Sequence, residues 1–263
     1  MLPMIRVFGY DIAMYGLMNL IGVVVAIFIA IKISRISGIG KEDVIFASMY
    51  GVIGVVVGGK ILYLLINIKA LWNGREVLLH NLEMLKGILT GGFVFYGGLL
   101  GGILMIVHYC KRYHISIEKM LFTLIPVIPL IHGFGRIGCF MAGCCYGIPY
   151  SGIFHVMFHS SPVGPNGINL FPVQLVESFF NLLIFIVLVD LAIKKKSTLV
   201  MIIVYCCCYS IMRFSLEFLR GDVERGYFLG FSTSQWISIA IFLMSLIIIV
   251  KNKKIFSKKY LHV

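Results

Sequence analysis

Long apolar runs separated by short polar segments dominate the pattern of this chain. Most are close to the roughly 20 residues that an α-helix needs to cross about 30 Å of hydrocarbon. We therefore predict an all-α polytopic membrane protein with seven transmembrane helices, forming a single integral membrane domain over residues 1–263. The predicted spans are Ile12–Ile33, Val44–Ile66, Ile88–Tyr109, Ile117–Ile131, Gln174–Ile193, Leu199–Leu219 and Thr233–Val250.

The stretch His132–Gly147 follows the shortest of these runs and is rich in glycine and cysteine. We expect irregular backbone rather than a membrane helix here, and such backbone must be satisfied inside protein or line a water-filled cavity. The stretch also contains Arg136, and an ionisable residue at membrane depth usually marks a functional site. The pattern therefore predicts helices around a central cavity that Arg136 faces.

Two further segments lie between predicted spans. Pro149–Pro172 is rich in proline and glycine, which favours a small loop domain that could contain a hairpin. We expect its histidines, His155 and His159, to be exposed to solvent. Leu78–Leu89 has the pattern of a short amphipathic helix at the membrane surface.

Composition excludes a soluble domain, since 60% of the 263 residues are hydrophobic and only 13% are charged. The net charge of +12 does not indicate nucleic acid, because lysine and arginine cluster between the apolar runs. Placing the N-terminus outside puts most of these residues in inner segments. Ile137–Ile193, which has no lysine or arginine, is then external together with the loop domain. We predict an external N-terminus, retained as a span, and a cytoplasmic C-terminus.

Three charged residues stand at i, i+4 and i+7 near the end of the predicted span Leu199–Leu219: Arg213, Glu217 and Arg220. A charged face in a membrane helix should point at a cavity or at partners. A juxtamembrane ion pair would explain Arg220 well and Arg213 poorly. Gln174 and Glu177 share a helix face in the same way, where capping of the helix start is the competing interpretation.

The seven cysteines include CC and CCC clusters and do not form the framework of a disulfide-rich secreted protein. Cys139, Cys144 and Cys145 lie near Arg136 in sequence and could be reactive thiols, or bind a metal with His132. The spacing C-x4-C-C is not a usual zinc pattern, so we predict neither a metal nor a cofactor.

Five motifs in chain order resemble prolipoprotein diacylglyceryl transferases, the bacterial inner-membrane enzymes that lipidate lipoprotein precursors. The RFxxEFxR element of that family is matched without change at 213–220. The central signature GRxGNFxNGExYG is matched by GRIGCFMAGCCYG at 135–147. The other matches are Tyr15 in a YGLM element, YGGLLG at 96–101 and FPVQLVE at 171–177.

The departures from the family's pattern fall at polar positions. Tyr96 stands where the family has a histidine, and Phe171 where it has the histidine before the proline. Cys139 and Cys144 replace the asparagine and the glutamate of the central signature. The resemblance therefore implies an intact phosphate clamp beside an altered set of groups for handling protons.

The resemblance implies transfer of the diacylglyceryl group of phosphatidylglycerol to the thiol of a lipobox cysteine, with release of glycerol phosphate. The central cavity would then bind lipid, in a monomer of the bacterial inner membrane whose partners are membrane lipids and the precursor peptide. Implied catalytic residues are Tyr96, Arg136 and Arg213. Implied substrate-binding residues are Tyr15, Arg136, Cys139, Cys144, Gly147, Gln174, Glu177, Arg213, Glu217 and Arg220.

Two other classes of function stay open at this point. A related lipid-headgroup enzyme could use the cysteine thiols in redox chemistry, or as acceptors of an acyl or glyceryl group. A non-catalytic relative could bind or transport anionic phospholipid. An assay that follows both peptide lipidation and glycerol phosphate release distinguishes the three.

Overall fold

The computed structural model describes residues 3–7, 9–73, 81, 87–88, 91–222 and 226–252. Helices account for most of this part of the chain; one short antiparallel hairpin precedes the first helix and two others lie between helices. By their contacts the residues form two compact units, one of Met1–Ser37 with Leu121–Val263 and the other of Gly38–Met120. Most of Leu78–Leu89, where an amphipathic helix is predicted, lies outside the described residues.

The first unit contains the hairpins and most of the long helices. The strands are β1 (Met4–Val7), β2 (Tyr10–Ala13), β3 (Val156–Met157), β4 (Asn169–Leu170), β5 (Tyr227–Phe228) and β6 (Phe231–Ser232). The helices are α1 (Met14–Ser37), α6 (Ile128–Ala142), α7 (Val173–Ile193), α8 (Thr198–Glu217) and α9 (Thr233–Lys251). Helix α6 packs between α1 and α7, and α8 packs between α7 and α9.

The second unit consists mainly of α2 (Lys41–Ile66), with α3 (Ile68–Asn73) and α4 (Phe95–Arg112). Helices α2 and α4 approach each other backbone to backbone. A Cβ atom added to Gly54 would lie 2.3 Å from the Gly101 carbonyl oxygen, and one added to Gly58 would lie 2.3 Å from that of Gly97. The glycines of both helices thus provide close packing.

Helix α5 (Ile117–Leu124) joins α6 through a 3₁₀ turn at Ile125–Val127, so that Ile117–Ala142 is continuously helical. The expectation of irregular backbone throughout His132–Gly147 is therefore wrong up to Ala142. The glycines serve packing, because a Cβ on Gly138 would lie 3.2 Å from the Tyr15 backbone. The helix ends at Gly143, which adopts the left-handed conformation favoured after a helix C-terminus.

Six described helical segments are long and apolar enough to cross a membrane, which confirms a polytopic membrane protein. They are Met14–Ser37, Lys41–Ile66, Ile117–Ala142, Val173–Ile193, Thr198–Glu217 and Thr233–Lys251. Helix α4 is not among them, since its glycines and its polar last turns lower its hydropathy. The predicted loop domain contains the β3–β4 hairpin, and Phe158 in it is fully buried against Phe140 of α6.

Candidate active site

A buried ion pair joins α6 to α7. The Nη2 atom of Arg136 lies 3.0 Å from the Oε1 atom of Glu177, whose side chain is 1% exposed. The same oxygen lies 3.8 Å from the Nε2 atom of His132, one helical turn before Arg136. The close approach of α6 to its neighbours brings these groups together, since glycines at 133, 135 and 138 occupy its contact faces.

Buried polar side chains, which include Glu177, form a stripe along one face of α7. Gln174, Glu177, Ser178 and Asn181 are all buried and recur at the spacing of one helix face. Ser178 donates a hydrogen bond to the Gly133 carbonyl at 2.9 Å, and Gln174 donates one to the Cys144 carbonyl at 2.9 Å. The stripe thus fixes both α6 and the turn that follows it.

A second buried guanidinium lies on α8. The Nη2 atom of Arg213 is 2.7 Å from Oε2 of Glu217 and donates a hydrogen bond to Ser234 at 3.1 Å. Ser232 donates a hydrogen bond from its hydroxyl to the other oxygen of Glu217 at 2.7 Å. Ser232 also begins α9 in a capping box with Gln235. The start of α9 therefore holds the carboxylate that orients Arg213.

Both guanidinium groups keep donors that are not used within the described protein. The Nε atom of Arg136 and the Nη1 atom of Arg213 are buried, and neither has a hydrogen-bond partner among the described residues. A buried donor without a partner is costly, so such atoms are expected to meet a ligand or ordered water. The charge of Arg213 also acts on those of Glu177 and Arg136, so the two pairs belong to one electrostatic site.

Three cysteines meet at the end of α6. The Sγ atoms of Cys139, Cys144 and Cys145 all lie within 4.8 Å of one another. His132, the other candidate ligand considered from the sequence, is not in this group; its ring contacts Tyr209 in a tilted arrangement with centroids 5.3 Å apart. Hydrogen bonds from the other two thiols lower the pKa of Cys145, burial opposes that shift, and the charges of nearby arginines add to it.

The turn after Gly143 connects the cluster to Arg220. Gly147 forms a β-bridge with Arg220, and a Cβ on Gly147 would lie 2.3 Å from the Phe171 carbonyl oxygen. Gly147 therefore permits approach of protein backbone at this point. Arg220 donates two hydrogen bonds to Asp222, at 2.9 and 2.7 Å. Burial lowers the pKa of Arg220, but the bonds to Asp222 and its charge outweigh this and the pKa is raised.

The two tyrosines predicted for the site are each about half exposed. Tyr15 lies in the first turn of α1, and its electrostatic neighbours are Cys139, Cys144 and Arg136. Tyr96 lies in the first turn of α4, in the second unit, where its ring contacts Phe95. The structure thus places Tyr15 beside the cysteine cluster, and a catalytic role for Tyr96 stays a prediction.

Several neighbours of the site were not predicted from the sequence. Asp222 and Ser234 contact the arginines directly, and Ser178 and Asn181 complete the polar stripe of α7. A sequence signal existed for two groups: the spacing of polar residues from 174 to 181 is helical, and S-T-S-Q at 232–235 is a capping box. No local pattern indicates Asp222.

Taken together, the arginines can bind a phosphodiester. Two planar guanidiniums, each already anchored by a carboxylate, offer forked donors that match phosphate oxygens. Their burial strengthens the interaction, because the effective dielectric is low and no reorganisation is needed when charge develops. A lipid headgroup at membrane depth fits this chemistry.

Comparison with known proteins agrees with this geometry. The prolipoprotein diacylglyceryl transferase family matches residues 3–251. A phosphatidylglycerol–prolipoprotein diacylglyceryl transferase of Clostridium tetani is 37% identical over 234 residues, 89% of this chain and 90% of the relative.

More distant relatives carry the same kind of name. A second such enzyme, of Clostridium perfringens, is 32% identical over 248 residues, or 94% of each chain. One of Finegoldia magna is 28% identical over 249 residues, again 94% of each chain. The chain therefore belongs to the prolipoprotein diacylglyceryl transferase family.

Proposed function

We propose that this protein transfers the diacylglyceryl group of phosphatidylglycerol to the cysteine thiol of a lipoprotein precursor. One observation carries the proposal: the side chains of Arg136 and Arg213 are only 14% and 9% exposed, each is paired with a glutamate, and each retains a buried donor for a ligand. The relatives' names supply the two substrates.

In the proposed reaction the acceptor sulfur attacks the glyceryl carbon next to the phosphate. A carbon–sulfur bond forms, the carbon–oxygen bond to phosphate breaks, and glycerol phosphate leaves with the electron pair. Arg136 and Arg213 stabilise the negative charge that develops on the leaving phosphate. Each such interaction is worth about 3 kcal/mol, or roughly 100-fold in rate, when one donor is removed from comparable sites.

The remaining predicted residues support this site. We assign Glu177 and Glu217 to positioning, because each lies within 3.0 Å of one arginine. Gln174 holds the Cys144 carbonyl, and Arg220 adds positive charge near the cysteines. Tyr15 is about half exposed and interacts electrostatically with Cys139 and Cys144, which suits a contact with headgroup or peptide.

We also propose that the chain crosses the membrane seven times. Seven spans require α4 to cross the membrane, and its glycine-to-glycine contact with α2 is typical of paired membrane helices. We place the N-terminus and the Pro149–Pro172 loop outside, the C-terminus in the cytoplasm, and a monomer in the bacterial inner membrane. The acceptor is then the lipobox cysteine of a precursor that has crossed this membrane.

A single assay tests the function. Purified protein is mixed with labelled phosphatidylglycerol and a lipobox peptide, and both lipidated peptide and glycerol phosphate are quantified. We expect both products from the wild type, and at least about 100-fold less from Arg136→Gln or Arg213→Gln. Arg35→Gln, at an exposed arginine of α1, should keep the wild-type rate.

The other outcomes contradict the proposal in different ways. Release of glycerol phosphate without lipidated peptide would indicate an enzyme that uses its own thiols. Formation of neither product, with phosphatidylglycerol still bound, would indicate a binding or transport protein.

A further inference from the structure

The proposed reaction leaves two features unexplained. It needs a thiolate, yet a tyrosine with a pKa of about 10 is a poor base near neutral pH. It also leaves unused the three cysteines at the end of α6, which lie beside the arginines of the site. Cys139 is buried, whereas Cys144 and Cys145 are partly exposed, so the cluster is reachable from one side.

The sulfur positions fit a metal ion. Zinc binds cysteine sulfur at about 2.3 Å in tetrahedral geometry, which places neighbouring sulfurs about 3.8 Å apart. The three Sγ atoms already lie within 4.8 Å of one another, so small rotations of the side chains would complete three bonds. Soft thiolate ligands favour zinc over magnesium or calcium.

The backbone conformation of the turn after α6 brings these sulfurs close together. Gly143 ends α6 with a φ of 73°, and the Cys144 amide returns to the Cys139 carbonyl at 3.1 Å. Cys145 then adopts a φ of 57°, in the left-handed region that residues other than glycine rarely occupy. Gln174 of α7 holds the turn from outside through the Cys144 carbonyl. Strained backbone of this kind concentrates at functional sites.

The cluster offers three ligands and a suitable charge environment. Among the described residues the group consists of these three cysteines, without a fourth histidine, cysteine or carboxylate at comparable distance. Three protein ligands with one open position are the pattern of catalytic rather than structural zinc sites. A zinc ion with three thiolates carries one negative charge, and Arg136 and Arg220 lie near enough for their charges to act on Cys145.

We propose that Cys139, Cys144 and Cys145 bind a zinc ion whose fourth position takes the thiol of the acceptor cysteine. This inference rests on the proposed function, because the acceptor is the substrate of that reaction. It explains how the acceptor can become a thiolate without a general base acting on its thiol.

The step balances without any redox change. The acceptor thiol binds zinc and releases its proton to solvent, since a thiol that coordinates zinc is deprotonated outright. The zinc-bound sulfur then attacks the glyceryl carbon, forming the thioether as the carbon–oxygen bond to phosphate breaks. The leaving glycerol phosphate accepts the electron pair, the neutral thioether dissociates, and the zinc ion stays divalent.

Cobalt(II) substitution tests the metal site independently of activity. Full-length protein is purified in detergent with a phosphine reductant, stripped with chelator and titrated with cobalt(II), which absorbs strongly when bound by thiolate. We expect one ion per chain, and at least about 100-fold weaker binding in Cys139→Ser, Cys144→Ser and Cys145→Ser. Cys207→Ser, on α8 and outside the cluster, should bind as the wild type does.

A second measurement on the wild type alone avoids any dependence on the folding of variants. Bound zinc should protect the three cluster cysteines from alkylation and leave Cys206, Cys207 and Cys208 unprotected. Equal alkylation with and without zinc, or cobalt binding that is unchanged in all three cluster variants, would overturn the metal site.

The open fourth position is tested by the acceptor itself. A lipobox peptide with its cysteine should change the cobalt spectrum, and the same peptide with serine in its place should not. Removing the metal should lower lipidation at least tenfold, and zinc should restore it. An unchanged rate after chelation would overturn the role in thiol activation.

Failure of the two proposals can be distinguished. Metal binding with a peptide-dependent spectrum, but no lipidation by the zinc-loaded protein, would overturn the transferase function and retain the thiol-binding metal site. Lipidation by protein that binds no metal would overturn the metal site and retain the transferase function.

Discussion

Glu177 and Asp190 show, on a single helix, how burial changes the importance of an ion pair. Both carboxylates pair with a basic side chain within 3.0 Å, but Glu177 is 1% exposed and Asp190 is 52% exposed. An exposed pair contributes about 0–1 kcal/mol, because water and salt screen it. Loss of one partner of a buried pair leaves an uncompensated charge and costs about 3–5 kcal/mol.

Glu177→Gln should therefore damage both stability and catalysis. It removes the counter-charge of Arg136 without changing the size of the side chain. We expect the free energy of unfolding to fall by about 3 kcal/mol, and lipidation to fall at least tenfold because Arg136 loses its orientation. Unfolding of the protein in detergent and the peptide assay measure the two effects.

Asp190→Asn is the matched control for Glu177→Gln on the same helix. The change of charge is identical, so the difference between the variants reports burial alone. A change of less than about 1 kcal/mol and an unaltered rate are expected. Equal effects of the two substitutions would show that Glu177 does not hold the guanidinium as described.

Individual residues of the site could be predicted from the sequence to unequal extents. Arg136 and Arg213 stand out because a charge at membrane depth is expensive and needs a reason. The sequence names Cys145 as a candidate thiol beside Cys144, but it does not specify the left-handed backbone conformation on which the place of Cys145 in the cluster depends. Asp222 likewise approaches Arg220 only through the turn that follows α8.

At the scale of elements, apolar length is a reliable guide to the helices. Thr233–Lys251 begins where predicted, and Val173–Ile193 begins one residue earlier than predicted. The same reasoning misread the central stretch, where glycine was taken to interrupt a helix. In a membrane protein a glycine can instead bring two backbones together, and only the packing partner decides between these outcomes.

Gly101→Val should separate α2 from α4. A Cβ at Gly101 would lie 2.2 Å from the Gly54 carbonyl oxygen, so the two helices would have to move apart. Overpacking of this kind costs about 1–3 kcal/mol, which thermal unfolding in detergent would detect. Gly16→Val is the control, because Gly16 lies within helix α1 with no atom within 4 Å of its added Cβ. Equal unfolding temperatures for the two variants would contradict the close contact.

At the scale of the whole molecule, the chemistry is distributed unevenly between the two units. The unit of Met1–Ser37 and Leu121–Val263 holds Arg136 and Arg213, their glutamates and the cysteine cluster. The unit of Gly38–Met120 holds Tyr96 at the start of α4. Only the family's motifs predict that Tyr96 and the arginines belong to one site. A local sequence pattern does not report how residues from distant helices meet.

The distribution of charge along the chain predicts the orientation of the whole molecule. Lysine and arginine are absent from Ile137–Ile193, whereas Lys194, Lys195 and Lys196 follow it directly. Because positive residues are retained on the cytoplasmic side, the loop between α6 and α7 should lie outside and the C-terminus inside. A reporter that is active only in the cytoplasm, fused after Val263, should be active, and one fused within the loop at Gly167 should be inactive. Replacing the three lysines with glutamine should weaken this preference, and activity of the reporter at Gly167 in the unaltered chain would refute the orientation.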